Sequence, residues 1–439
     1  MSGWLELAAG LVAAGALLLV LAYGVGAPFL LLRTALTLGR RRRLRYRTRN
    51  DDALATSRFT IPVSLVVPLG DEVSDASGRL RRLLQLRYPE LEVILVVSDG
   101  PALEELKHVW SLTAAEVFYR KSIDSAPIRG LYRSAADSRV IVVHAAPATL
   151  GDRLNSGVNL ARYRYVAVAE SAARYNSDAL LEAMQAALEE PQRVVGVTTS
   201  VTVGPVQSVE AALRGEATTG PLESLRYLTA ARARLATIGR RRLDLPPEGC
   251  PGLTIWRRDV VLEVGGFAST DGALQADLTL RVHAHYRGDR ARYRILHVAD
   301  AVGAIDAADA ERLARQARMS LDVLWRHRGL FLSPSAGRLG LVDLPRYAFN
   351  LLVAPWIELA ALVLLCLAVP LGVLSVGTLL LVIFTVGLGN GVLAATALLL
   401  SGLPGHDPRP AALFNLILLG PFEYFASRPA WLVDRFRRA

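Results

Sequence analysis

A long apolar stretch near the N-terminus constrains the fold of this chain more than any other feature of its sequence. Nearly every residue from Trp4 to Leu32 is apolar, and about 20 such residues are enough to span a bilayer as a helix. The basic cluster "GRRRRLRYRTR", from Gly39 to Arg49, follows the stretch, and no basic residue precedes it. This order predicts an N-terminus outside and a cytoplasmic chain after it. It also argues against a cleaved signal peptide.

A second apolar region, from Tyr347 to Leu400, predicts two returning spans. A Pro-Leu-Gly turn divides it, which leaves one span from Leu351 to Val373 and another from Thr378 to Leu400. The last apolar stretch, Ala411 to Phe425, is 15 residues long and either lies in the interface or forms a short span. The basic tail "RFRR" favours the interface and a cytoplasmic C-terminus.

The composition agrees with a membrane protein. The chain has 439 residues, 52% of them hydrophobic, and a mean hydropathy of +0.31, which is too apolar for a soluble protein of this length. Its formal charge is +10, and we interpret the basic cluster as a stop-transfer signal that contacts lipid headgroups rather than nucleic acid. Two distant cysteines, Cys250 and Cys366, support neither a disulfide framework nor a zinc site. A transporter is disfavoured because no predicted span carries paired ionisable residues, and Glu358 is the only carboxylate near the middle of one.

The middle of the chain has the pattern of an α/β domain. The β-branched runs "IPVSLVVPL" and "LEVILVVSDG" flank the helical pattern "SGRLRRLLQL", and "SRVIVVHAA", "RYVAVAE" and "PQRVVGVTTSVTVG" continue the series. A helix is expected from Ser177 to Leu188. This alternation predicts a doubly wound, mostly parallel sheet whose ligands bind at the carboxyl ends of the strands.

These patterns divide the chain into five predicted regions. They are an N-terminal transmembrane helix (1–35), a basic linker (36–58), a cytoplasmic α/β domain (59–335), two transmembrane helices (336–403) and an interfacial or short membrane segment with a basic tail (404–439).

Six motifs occur in a fixed order along the chain. They are "VSLVVPLGDE", "YPELEVILVVSDG", "LNSGVNLA", "YVAVAESAARYNSDALL", "RRDVVLEVGGF" and "DLTLRV". With membrane helices on both sides, the set resembles the family 2 membrane glycosyltransferases, which include cellulose, hyaluronan, chitin and poly-N-acetylglucosamine synthases. The resemblance covers nearly the whole chain. It implies a glycosyltransferase-A-like fold and a nucleotide-sugar donor.

The resemblance also locates a metal site, and this chain departs from it. Such enzymes hold Mg²⁺ or Mn²⁺ with an Asp-x-Asp pair that offsets the charge of the leaving diphosphate. The matching residues are Glu170, Ser171 and Ala172. Glu170 is therefore the one candidate metal ligand, and the second carboxylate is missing.

The catalytic base and the acceptor motif are altered as well. The family's Glu-Asp pair matches Leu274 and Gln275, and only the later Asp277 remains as a candidate base. On a helix, Asp277 points about 200° away from Gln275. In the Gln-x-x-Arg-Trp region an Arg survives, at Arg315 in one register or Arg318 in another, but the Trp does not.

The side of the pocket that binds the base of the nucleotide is better preserved. By resemblance, Pro68 and Asp99 contact the uracil and ribose of the donor, with Glu170 beside them. The Gly-Lys that precedes "LNSGVN" in the family is Thr149-Leu150 here, so no cation is expected there.

Two functions follow from these departures. The first is a catalytically impaired subunit that partners an active synthase or a polysaccharide in envelope or exopolysaccharide synthesis. The second is an active inverting glycosyltransferase that uses a UDP-sugar, with Glu170 as sole metal ligand or without metal. Either protein is expected in the bacterial inner membrane, with the lipid bilayer and UDP or a UDP-sugar as partners and no nucleic acid.

Overall fold

The computed structural model describes residues 60–70, 75–116, 119–203, 251–286, 292–305 and 319–353, with isolated positions outside these ranges. Most of the predicted membrane segments and the whole basic linker lie outside the described residues, so these predictions stay untested. Among the described residues, no helix has the length and apolarity needed to cross a bilayer.

The chain forms two compact units. The β-sheet belongs to the unit that comprises Arg49–Pro205 and Leu243–Leu341. The strands are β1 (Val63–Pro68), β2 (Leu91–Val97), β3 (Leu112–Ala114), β4 (Ile128–Ser134), β5 (Val140–Ala145), β6 (Tyr165–Val168), β7 (Arg174–Tyr175), β8 (Val194–Val203), β9 (Pro251–Arg257) and β10 (Arg294–Ile305). The helices of this unit are α1 (Ala76–Leu84), α2 (Pro101–Val109), α3 (Leu150–Leu160), α4 (Ala179–Glu189), α5 (Arg258–Glu263), α6 (Leu274–His285) and α7 (Leu321–Arg326). Helix α8 (Leu344–Leu352) belongs to the other unit.

The ten described strands form one mixed sheet in the order β3-β4-β5-β2-β1-β6-β9-β8-β10-β7. The centre, β5-β2-β1-β6, is parallel as predicted. However, five of the nine pairings are antiparallel, so the prediction of a mostly parallel sheet holds only for that centre and for the pair β8-β10. One reason is the short connection from β4 to β5, residues 135–139, because a parallel crossover needs a dozen or more residues.

The strand order reverses between β1 and β6. From β1 the chain adds β2 and then β5 on one side, and it returns to place β6 on the other side of β1. Helix α3 makes this return, and it packs closely on β1: a Cβ built on Gly157 would lie 2.4 Å from Cγ1 of Val66. A crevice at the carboxyl ends of β1 and β6 is the expected ligand site of such a sheet.

Candidate functional site

Asp99 follows β2 at the carboxyl edge of the sheet and is held by two basic side chains. His144 Nε2, near the end of β5, lies 2.6 Å from Asp99 Oδ1, and Arg129 of β4 forms an ion pair with Oδ2. The hydrogen bond with His144 lowers the pKa of Asp99 below its ordinary value, and the charge of Arg129 acts in the same direction. The carboxylate is about half exposed, at 54%, and can accept a hydrogen bond from a ligand.

Pro68 ends β1 beside β2, where its Cα is paired with that of Val96. Asp99 and Pro68 therefore lie at the same edge of neighbouring parallel strands, as the resemblance implies. The two partners of Asp99 were not predicted. His144 is a polar residue at the end of an apolar strand, which is a readable signal, but Arg129 lies on a strand that the sequence pattern did not indicate.

Glu170 follows β6 and faces a cation instead of a second carboxylate. Its Oε1 accepts a hydrogen bond from the Ala172 N–H at 3.3 Å, and Arg312 Nη2 lies 3.7 Å from the same oxygen. The Tyr175 hydroxyl bonds the main-chain N–H and carbonyl of Glu170. Burial raises the pKa of Glu170 above its ordinary value, although Arg312 opposes the shift.

Ser171, at the centre of the missing carboxylate pair, is also contacted by an arginine. Its buried hydroxyl accepts a hydrogen bond from Arg79 Nη1 of helix α1 at 3.1 Å. In the described part of the chain, no group of three or more His, Cys, Asp or Glu side chains is placed to hold a metal ion. One carboxylate that faces a guanidinium is a poor donor set for Mg²⁺ or Mn²⁺, which prefer several oxygen ligands. The residues that the structure describes here therefore do not fit the expected cation.

A third arginine lies at the end of β1. Arg153, in the first turns of α3, donates from Nη1 to the Leu69 carbonyl at 2.9 Å. Thr149 caps the same helix by accepting the Asp152 N–H at 3.3 Å. Arg153 lies four residues after Thr149. It therefore places a positive charge near the region in which the family resemblance predicted no cation.

The predicted base position is occupied by an amide. Gln275 accepts a hydrogen bond from Trp256 Nε1 at 3.0 Å and donates one to Thr254 Oγ1 at 2.8 Å. Both partners lie on β9. The amide therefore ties α6 to the sheet, and it has no basic group with which to remove a proton.

Asp277 points to the opposite side of α6, as the helical angle predicts. His327 Nε2 donates to its carboxylate at 2.9 Å and Arg281 Nε at 2.8 Å, and only 2% of the residue is exposed. Burial raises the pKa of Asp277, but the hydrogen bond from His327 and the charge of Arg281 outweigh it and hold the pKa below its ordinary value. Asp277 is an ionised carboxylate with both oxygens bonded, which is a poor arrangement for a general base.

The third candidate motif lies largely outside the described residues. Neither Arg315 nor Arg318 is described, so both remain predictions. Gln316 is described, and its carbonyl accepts the Ala273 N–H at 2.5 Å. This bond joins the segment to the residue that precedes α6.

Several solved structures are similar in fold to this chain. A mannosyltransferase from Pyrobaculum calidifontis, in complex with GDP-Man and Mn²⁺, is 17% identical over 93% of this chain and 98% of that chain, with a TM-score of 0.48. TarS from S. aureus, in complex with UDP-GlcNAc, is 14% identical over 84% and 92%, with a TM-score of 0.40. Glucosyl-3-phosphoglycerate synthase from Mycobacterium tuberculosis, with Mn²⁺, UDP and phosphoglyceric acid, is 14% identical over 64% and 83%, with a TM-score of 0.37.

These likenesses concern the fold alone. The sequence matches no protein-family model and no curated protein at a significant level.

Proposed function

We propose that this chain is a glycosyltransferase-like protein that binds a nucleotide sugar but transfers the sugar slowly or not at all. In this proposal it is a membrane-anchored relative of the family 2 enzymes that works beside an active synthase in envelope or exopolysaccharide synthesis. Anchoring in the bacterial inner membrane is supported by the apolar segments of the sequence. The observation that carries the loss of activity is at Glu170, which faces the Arg312 guanidinium 3.7 Å away and has Ala172 at the position of the second carboxylate.

The acceptor side supports the same conclusion. A general base typically contributes a factor of about 10² to 10⁴ to the rate, and the amide of Gln275 cannot supply it. Asp277 is the nearest carboxylate on the same helix, but it is buried and bonded by His327 and Arg281. Loss of metal clamping removes further stabilisation of the leaving diphosphate.

The test is the turnover of the purified full-length protein in detergent. With UDP-glucose or UDP-GlcNAc and either Mg²⁺ or Mn²⁺, we expect sugar transfer and donor hydrolysis at least about 10² below an ordinary rate of order 1 s⁻¹. Turnover of order 1 s⁻¹ would instead support the alternative of an active inverting transferase. In that case Glu170→Ala distinguishes the two forms of the alternative, since it abolishes turnover only if Glu170 holds the metal.

Nucleotide binding itself is tested at Asp99. We expect Asp99→Ala to weaken UDP binding about tenfold or more, because a hydrogen bond from the uracil or ribose loses its acceptor. Titration calorimetry of the full-length protein with UDP measures the effect. The exposed carboxylate of Asp124, which lies 3.6 Å from Lys121, provides the control Asp124→Ala. Equal affinity in the wild type and Asp99→Ala would contradict the assigned role of Asp99.

A further inference from the structure

Two guanidinium groups reach the Glu170-Ser171 pair from separate elements. Arg79 comes from α1 and donates to the Ser171 hydroxyl at 3.1 Å, and Arg312 follows β10 in the chain and lies 3.7 Å from the Glu170 carboxylate. Burial raises the pKa of Glu170, and both positive charges oppose that shift. Two cations thus flank the position at which the family holds a metal ion.

The position of Arg79 is fixed by the start of its helix. The Glu105 carboxylate of α2 accepts the N–H groups of Ala76 and Ser77 at 3.1 and 3.0 Å. The Asp75 side chain accepts the Gly78 N–H at 2.9 Å. These bonds anchor the first turn of α1 and so fix the position from which Arg79 contacts Ser171. They also satisfy the first N–H groups of the helix.

The described side chains of this region carry more positive charge than a site for a divalent cation should have. Asp309 pairs with Arg312 at 3.1 Å, and Glu170 is the other carboxylate described at this cluster. Arg153 adds a third guanidinium at the Leu69 carbonyl, at the carboxyl end of β1. A guanidinium is always charged and presents paired N–H donors that match phosphate oxygens, whereas a divalent cation would be repelled by it.

We propose that Arg79 and Arg312, rather than a divalent cation, bind the diphosphate of the nucleotide at the carboxyl ends of β1 and β6. This inference rests on the proposed nucleotide binding and adds how the charge of the diphosphate is neutralised. Glu170 then acts as a counter-ion that holds Arg312 in place until the diphosphate enters. Arg153 borders the same crevice.

The first test is UDP binding to the purified full-length protein by titration calorimetry, in EDTA and in Mg²⁺. We expect the two dissociation constants to agree within about threefold, because no metal contributes. Arg79→Ala and Arg312→Ala are each expected to weaken UDP binding about tenfold and to leave uridine binding nearly unchanged. Arg81→Ala is the matched control, since Arg81 is exposed on the same helix.

The sharpest test is Glu170→Gln, for which the two explanations predict opposite signs. A metal ligand lost at this position weakens UDP binding. A lost counter-ion removes one of the two carboxylates that face Arg312 and a negative charge beside the phosphates, so we expect UDP to bind several-fold more tightly. Glutamine keeps the shape of the side chain and can still accept the Ala172 N–H, so the fold is preserved.

The outcomes separate this inference from the proposed function. UDP binding that requires Mg²⁺, or that is unchanged in both Arg79→Ala and Arg312→Ala, would overturn the arginine site while nucleotide binding stands. If neither UDP nor uridine binds at millimolar concentration, nucleotide binding itself fails, and the arginine site fails with it. The thermal midpoint of each variant, compared with that of Arg81→Ala, shows whether it is folded.

Discussion

Asp277→Ala is expected to lower the free energy of unfolding by about 3 to 5 kcal/mol, the usual cost of removing one partner of a buried ion pair. Asp277 is 2% exposed and accepts hydrogen bonds from His327 and Arg281. Without it, the Arg281 guanidinium remains partly buried opposite an empty space. Equilibrium urea denaturation of the full-length protein measures the loss.

The isosteric variant Asp277→Asn is the control for this prediction. It keeps an acceptor for one donor while it removes the charge, so we expect a smaller loss than for Asp277→Ala. A loss below about 1 kcal/mol in Asp277→Ala would contradict the described pairing, because changes of that size are ordinary for exposed sites.

The same carboxylate predicts how stability depends on acid. Since the pKa of Asp277 is lower in the folded protein than its ordinary value of about 3.9, its contribution to stability is fully present above about pH 4. It is lost as the pH falls through the lowered pKa. We expect Asp277→Asn to flatten the fall of unfolding free energy with pH in that acid range. A parallel fall in the two proteins would exclude this role.

Asn155→Ala is expected to cost about 2 to 4 kcal/mol of unfolding free energy, because it leaves several buried main-chain groups without partners at about 1 to 3 kcal/mol each. Asn155 is 2% exposed. Its amide donates to the carbonyls of Asp124 and Phe267, both at 2.9 Å, and its oxygen accepts the Phe267 N–H at 2.7 Å. The side chain therefore ties α3 to the turn after α5, where Gly265 and Gly266 have positive φ.

Asn176→Ala is the matched control for this variant, because Asn176 is exposed and makes its described hydrogen bonds through the main chain. We expect it to change stability by less than about 0.5 kcal/mol. Thermal and urea unfolding of the full-length proteins test both variants. Equal stability of the two variants would show that the amide network at Phe267 contributes little.

Local patterns were sufficient to predict the central strands. The β-branched runs predicted β1, β2, β5, β6 and β8, since each alternates or buries its side chains over a few consecutive residues. The family resemblance, rather than periodicity, implied that Glu170 lacks a second carboxylate and that Gln275 stands where a base is expected. The angle between Gln275 and Asp277 was also predictable, because it depends only on helix geometry.

The other five strands and the arginine contacts were decided by the tertiary structure. β3, β4, β7, β9 and β10 are short, partly polar or interrupted, and their pairing depends on distant partners rather than on local periodicity. Arg79 meets Ser171 across 92 positions of sequence, and His327 meets Asp277 across 50.

The sequence by itself thus determined which carboxylates are present and which strands carry them to the edge of the sheet. Only the tertiary structure decided that Arg79 and Arg312 flank Glu170 and that Asp277 is bonded by His327 and Arg281. The physical reason is that strand and helix periodicity act over a few residues, whereas these contacts form only when packing brings separate elements together. An arginine in a sequence rich in arginine carries no local sign of the partner it will meet.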